Sequence, residues 1–185
     1  MIAKIRAYRA PADIETSHRY IEGHRKVLES YGVKAVTSAI HDWIDDPDTY
    51  VIIVESEDGE KVYGGTRVQI RTEKLKLPME HAIAKIDSSI YSYVDKIGNH
   101  NVAEFCGLFN SKEVAGYGIG SIFLGRIAIA ISSQLGIQHL LGLCSPATLK
   151  NSQRVGFEIL TELGDNGRFY YPKEGLIATS LIIKD

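Results

Sequence analysis

Residues 102–124, VAEFCGLFNSKEVAGYGIGSIFL, restrict the architecture more tightly than any other part of the chain. An apolar run from Val102 to Asn110 passes through a polar connector, Ser111-Lys112-Glu113, into Ala115-Gly116-Tyr117-Gly118-Ile119-Gly120-Ser121. An apolar helical stretch follows. The pattern reads as strand, glycine-rich turn, helix N-terminus. Such a turn gathers free backbone N–H groups and the positive end of the helix dipole at one point. Its glycines let a ligand come close to the backbone. Two readings stand: an anion site, most simply for phosphate, or a connector that binds nothing. The glycines alone do not separate them.

The 185 residues suffice for one domain with a real core, and residues 1–185 are expected to form one. A net charge of −2 gives no support to a nucleic-acid partner or an anionic membrane surface. No apolar run approaches the ~20 residues of a membrane span. The opening MIAKIRAYRAP has no signal-peptide core. A cytoplasmic, reducing setting is therefore expected. Cys106 and Cys144 lie in apolar strand-like runs, read as buried thiols, and form no metal-ligand spacing, so no metal is expected.

Ala3 to Ala7 alternates weakly and reads as a first strand. Asp13 is placed to cap a helix over Ile14–Tyr31, with Gly32 as its stop. Val33 to Ile40 reads as a second short element. The acidic segment His41–Asp48 carries the only tryptophan, Trp43, and reads as a solvated loop or as one that contacts a polar acceptor. Tyr50–Ser56 and Lys61–Arg71 flank Glu57-Asp58-Gly59-Glu60, a β-hairpin signal. Gly64-Gly65 within the second strand signals a bulge or a close backbone approach. Arg67 alternates with Val68 and Ile70 and, read alone, faces solvent. Leu75–Ile97 holds one helix or two short ones. Ile119–Leu135 is apolar nearly all round, which predicts a well-buried helix. Ile137–Cys144 is a strand, Ser145-Pro146 opens another helix, and Phe157–Leu163 and Leu176–Ile183 read as two final strands. A mostly antiparallel first half thus feeds a βαβα segment. The class is α/β (α+β), a mixed sheet with helices on both faces.

Asn101 to Leu160 resembles the GCN5-related N-acetyltransferase (GNAT) superfamily. In that family a strand ends in a hydrophobic triplet, here Leu108-Phe109-Asn110. A signature Arg/Gln-x-x-Gly-x-Gly/Ala then opens a helix, here Ala115 to Gly120. The later Gly156-Phe157-Glu158 matches the family's terminal Gly-Phe-Glu. The resemblance implies a mostly antiparallel GNAT-like sheet and acyl transfer from a pantetheine thioester to an amine. It implies acetyl-CoA or a longer acyl-CoA as co-substrate and a small-molecule amine or amino acid as acceptor. The diphosphate would rest on Gly116, Tyr117, Gly118, Ile119, Gly120 and Ser121, and the pantetheine would pair with the backbone of Leu108 and Asn110. Ser145 stands where an Asn often contacts pantetheine, Ala115 where Arg or Gln is usual, and Ser152 where many members carry the tyrosine that protonates the departing thiolate.

A narrower set of stretches looks like the acyl-homoserine-lactone synthases and related N-acyl amino acid synthases. These are Asp46-Pro47-Asp48-Thr49-Tyr50, then Gly64-Gly65-Thr66-Arg67 with Leu77-Pro78-Met79-Glu80, and Val102-Ala103-Glu104. That likeness implies fatty-acyl donors, often on acyl carrier protein, and puts Arg67 and Glu104 near the reacting groups. Gly107 stands where the lactone synthases keep an arginine, which counts against lactone production. Glu104 is the leading base, with charge pairing to Arg67 expected to keep it ionised. Read without the family, Glu104 is a solvent-facing carboxylate or a partner of Arg67. A non-catalytic acyl-CoA-binding domain is the competing class, and a homodimer stays open.

Overall fold

The computed structural model describes residues 3–33, 36–117 and 119–184. Among the described residues eight strands form one sheet: β1 (Ala3–Arg9), β2 (Thr49–Ser56), β3 (Val62–Ile70), β4 (Val102–Asn110), β5 (His139–Cys144), β6 (Glu158–Ile159), β7 (Arg168–Tyr170) and β8 (Ile177–Lys184). The order is β1-β2-β3-β4-β5-β8-β6, with β7 also on β8. Every pairing is antiparallel except β4 with β5. The expected mixed, mostly antiparallel sheet is therefore present.

It is covered by α1 (Ile14–Ser30), α2 (Pro78–Ile83), α3 (Ser89–Ile97), α4 (Leu124–Gln134) and α5 (Pro146–Arg154), the α-helices among the described residues. On one face, Leu124 and Ala128 of α4 meet Ile52, Val54, Val68, Ala103 and Leu140, with Leu149 of α5 against the same cluster. On the other face, α2 and α3 bury Met79, Ile83, Ile90 and Val94 over Val102, Leu141 and Ile182. Tyr20 of α1 packs with Trp43, Val51, Ile53 and Phe109.

Local chemistry explains most boundaries. Asp13 Oδ1 accepts from the Thr16 N–H at 3.0 Å and so caps α1. The β2–β3 turn closes on Asp58, whose Oδ1 accepts from the Glu60 N–H at 3.0 Å. Gly65 has no Cβ because Tyr20 lies there: a methyl would stand 2.8 Å from the ring and 3.0 Å from the Ile52 carbonyl. Leu75–Ile97 resolves into two helices, α2 and α3.

Three expectations are corrected. Val33–Ile40 supplies only a 3-10 turn at Thr37–Ala39, with residues 34 and 35 outside the described ones. The helix expected over Ile119–Leu135 begins as a π turn at Ile119–Phe123, and α4 buries one stripe (Leu124, Gly125, Ala128, Ser132) while Phe123 is exposed. Its Ile127, Ile129 and Ile131 are only partly buried, so a helix apolar nearly all round is not buried all round. Phe157–Leu163 yields only the two-residue β6, because the chain turns away after pairing Glu158 and Ile159 with Ile182 and Leu181.

Candidate active site

The site starts where two strands part. Val102–Phe105 of β4 pair with His139–Gly142 of β5, and the pairing ends there. Beyond that point β4 continues on β3 as far as Asn110 opposite Gly64, and β5 continues on β8 as far as Cys144 opposite Thr179. The edge of Cys106–Asn110 that faces β5 is left without a partner strand among the described residues. Leu108 and Asn110 both lie on this edge.

A bulge coincides with the parting. Arg67 faces Cys106 and Gly65 faces Phe109, so Gly107 and Leu108 together oppose Thr66. Gly107 has φ 63°, which a side chain rarely tolerates. A methyl on it would collide with the Tyr20 hydroxyl and lie 3.2 Å from Arg67 Nη1. Two hydroxyls hold the bulge: Tyr20 donates to the Gly107 carbonyl at 2.8 Å, and Thr66 donates to the Cys106 carbonyl at 2.9 Å.

The free edge runs into the glycine-rich turn. After a 3-10 turn at Lys112–Val114, Ala115, Gly116 and Tyr117 are exposed, and the π turn at Ile119–Phe123 leads into α4. Gly116, at φ 89°, has nothing within 4 Å of where a Cβ would be, so its backbone is open to a ligand. Gly118 lies outside the described residues; Gly120 and Ser121 belong to the π turn. Ser145, at the head of α5, stands just past the end of β5, and α5 packs against the π turn. The turn and Ser145 thus flank one end of the opening between β4 and β5.

Glu104 and Arg67 share the sheet face under α1 and α2, but both differ from expectation. Glu104 is buried, and its Oε2 accepts from the Met79 N–H at 2.7 Å. Burial pushes its carboxyl up to about 8, against the pull of that N–H and of the Arg67 charge, while the Glu80 charge adds to the rise. Arg67 is 1% exposed rather than facing solvent. Its Nη1 donates to the Ser38 carbonyl at 2.8 Å, its Nε to Gln69 Oε1 at 3.3 Å, and its guanidinium carbon lies 4.7 Å from the centre of the Trp43 ring. Glu104 and Arg67 form no ion pair among the described residues. Gln69, opposite Glu104 in the register, takes the Arg67 Nε and donates its own amide to the Lys76 carbonyl at 2.9 Å. The expectation that pairing with Arg67 keeps Glu104 ionised is overturned: the field of Arg67 reaches the carboxyl, but desolvation outweighs it.

Arg67 lines a cavity of about 180 Å³ with Tyr20, His24, Ser38, His41 and Trp43. Burial, then the Arg67 charge, holds His24 down to about 4 and also lowers His41. Sequence reasoning missed Tyr20, His24 and Ser38. Trp43 was visible; its ring is buried, while His41, Asp42, Asp45 and Pro47 of the same acidic loop are exposed. The remaining candidates contribute less. Cys106 is buried with its thiol pushed up by desolvation, and Cys144, half-buried rather than buried, is pushed up to about 11. Neither is a ready nucleophile at neutral pH. Ser152 Oγ donates to the Thr148 carbonyl at 3.2 Å within α5, and the Tyr171 hydroxyl accepts from the Thr37 N–H at 2.7 Å. Among the described residues no helix is long and apolar enough to cross a membrane.

No protein-family model matches this sequence, and no curated protein matches it. Solved structures do. FeeM, an N-acyl amino acid synthase from uncultured soil microbes, superposes with a TM-score of 0.71 at 16% identity, over 99% of this chain and 91% of that one. Escherichia coli ElaA superposes at 0.68 with 9% identity, over 99% and 100% of the two chains. MesI, a CoA-dependent acyl-homoserine lactone synthase, gives 0.64 at 15% identity, over 98% and 88%. With the parted strands and the turn that follows them, these superpositions establish that the chain has the fold of the GCN5-related N-acetyltransferases.

Proposed function

We propose that this chain is an N-acyltransferase that moves an acyl group from a pantetheine thioester to an amine of a small molecule or amino acid. One observation carries the proposal: a backbone edge, Cys106–Asn110, that is unpaired among the described residues and leads into a glycine-rich turn at a helix start. A pantetheine arm carries amides that can add to such an edge as a short strand would. In this reading Leu108 and Asn110 offer their backbones to the arm, with Ser145 across the gap. Gly116, Tyr117, Gly118, Ile119, Gly120 and Ser121 supply the phosphate cradle. The open backbone at Gly116 fits a bound phosphate.

Glu104 is the proposed base. It takes the amine proton as the nitrogen bonds to the thioester carbon, and the C–S bond then breaks to release a thiolate. A carboxyl raised by burial to about 8 is basic enough to hold the proton that the amine gives up. Arg67 supports the site from the same sheet face. A donor carried on acyl carrier protein, as in a long-chain N-acyl amino acid synthase, is the second reading. Its support is Ala115, exposed and uncharged at the head of the turn, where free CoA usually meets a cation.

Calorimetry with acetyl-CoA, longer acyl-CoAs and acylated carrier protein tests both, followed by thioester cleavage assays over an amine panel. Binding with turnover supports the enzyme. Absence of binding to every donor overturns it, and binding without cleavage for any amine assigns the chain to the non-catalytic class.

A further inference from the structure

Arg67 is a buried cation whose charge reaches the buried Glu104 carboxyl without forming an ion pair with it among the described residues. Its guanidinium bonds to one carbonyl and one neutral amide, stacks on Trp43, and has no carboxylate within ion-pair distance among the described residues. A desolvated charge is costly unless an opposite charge compensates it. The group lines a cavity whose other polar walls are Tyr20, Ser38, two imidazoles, His24 and His41, and Arg25, a half-exposed cation already paired with Glu22 and Glu29. The cavity, at about 180 Å³, is well below the roughly 300 Å³ at which drug-sized pockets begin, so it suits a small molecule rather than an extended acyl chain.

Position adds a second constraint. Arg67 Nη1 would lie only 3.2 Å from a methyl at Gly107, the bulge residue near the start of the free edge of β4. A carboxylate held on Arg67 is therefore a short tether away from the backbone that would hold the thioester. An amine one carbon from that carboxylate is within reach of the same place.

We infer that the Arg67 cavity is the acceptor's anchor: it binds the carboxylate of an α-amino acid on the guanidinium and presents the amine to the parting of β4 and β5. This rests on the acyltransferase reading and narrows it, by making the carboxylate obligatory. Arg67 is a specificity-determining residue, with Trp43 and Ser38 fixing the plane of its guanidinium.

The test compares, on the wild-type protein and with donor saturating, a panel of amino acids against their primary amides and decarboxylated amines. Loss of the charge partner should lower acceptor kcat/KM by roughly 100-fold or more, as expected when a built polar site is left unpaired, with donor KM unchanged. Arg67→Met should abolish the discrimination and Arg67→Lys should retain part of it. Amides and amines used as well as acids by the wild-type protein would overturn the inference while leaving acyl transfer intact. A second measurement needs no turnover: N-acetyl amino acids titrated against the His24 and His41 ring resonances. Shifts with the acids and none with N-acetyl amines support the anchor even if no donor is ever cleaved. Equal shifts, or none, reject it.

Discussion

Glu104 decides what the site can do at a given pH. Its folded-state carboxyl is raised from 4.5 to about 8, so the native protein holds a proton there that the unfolded chain releases. The sign follows from linkage: between about pH 4.5 and 8 the native state binds more protons, so stability falls as pH rises across that window. The contribution is fully present below the unfolded value and gone above the folded one. Glu104→Gln keeps the neutral shape and should remove this part of the decline. Thermal melts of wild type and variant at pH 5 and pH 8.5 check it: the variant should gain on the wild type at the higher pH, and parallel curves would show that Glu104 does not titrate there. In turnover, the wild type should show a rising limb near pH 8 that the variant lacks, with donor affinity retained. The buried hydroxyl of Tyr20 is a second residue-level determinant. Tyr20→Phe leaves the Gly107 carbonyl without its 2.8 Å donor, a loss of about 1–3 kcal/mol that denaturant titration would read.

At the scale of elements, the bulge in β4 is the feature on which the opening depends. Gly107→Ala combines a positive φ that costs about 1–2 kcal/mol with a collision against Tyr20. It should destabilise the protein by more than ~2 kcal/mol and weaken donor binding in the fraction that stays folded. Unchanged donor affinity would separate the bulge from the binding edge. The same strand shows what sequence can and cannot convey. The β2–β3 hairpin, the Asp13 cap and the strand-turn-helix order were legible because turn and cap chemistry is local. The parting of β4 from β5 was not, because it depends on where each strand finds its other neighbour. Alternation with Val68 and Ile70 placed Arg67 on a polar face, correctly as to side and wrongly as to solvent. The Ser38–Trp43 segment covers that face through contacts that no periodicity encodes. The cavity was invisible for the same reason, since its walls come from α1, that covering segment and β3.

For the molecule as a whole, the sheet carries separate apolar clusters on its two faces, and the opening lies along its middle, where β4 passes between them. Among the described residues the two halves, β1–β4 and β5 with β8, β6 and β7, are joined strand to strand by the Val102–Phe105 ladder alone. A donor that lies in the opening bridges those halves, so its binding should stabilise the whole fold. At 100 times the dissociation constant, mass action contributes about 2.7 kcal/mol, which for a chain of this size is a rise in melting temperature of roughly 5–10 °C. Hydrogen exchange should localise the effect. Amides of Cys106–Asn110 and of the turn that follows should slow on addition of acyl-CoA, because they exchange an open edge for a bonded one, while β1, remote from the opening, should gain only what global stabilisation gives. A melting shift with protection spread evenly over β1 and β2 would place the donor elsewhere. Protection confined to the turn, with the strand edge unchanged, would mean that the phosphates bind while the pantetheine arm does not enter the opening.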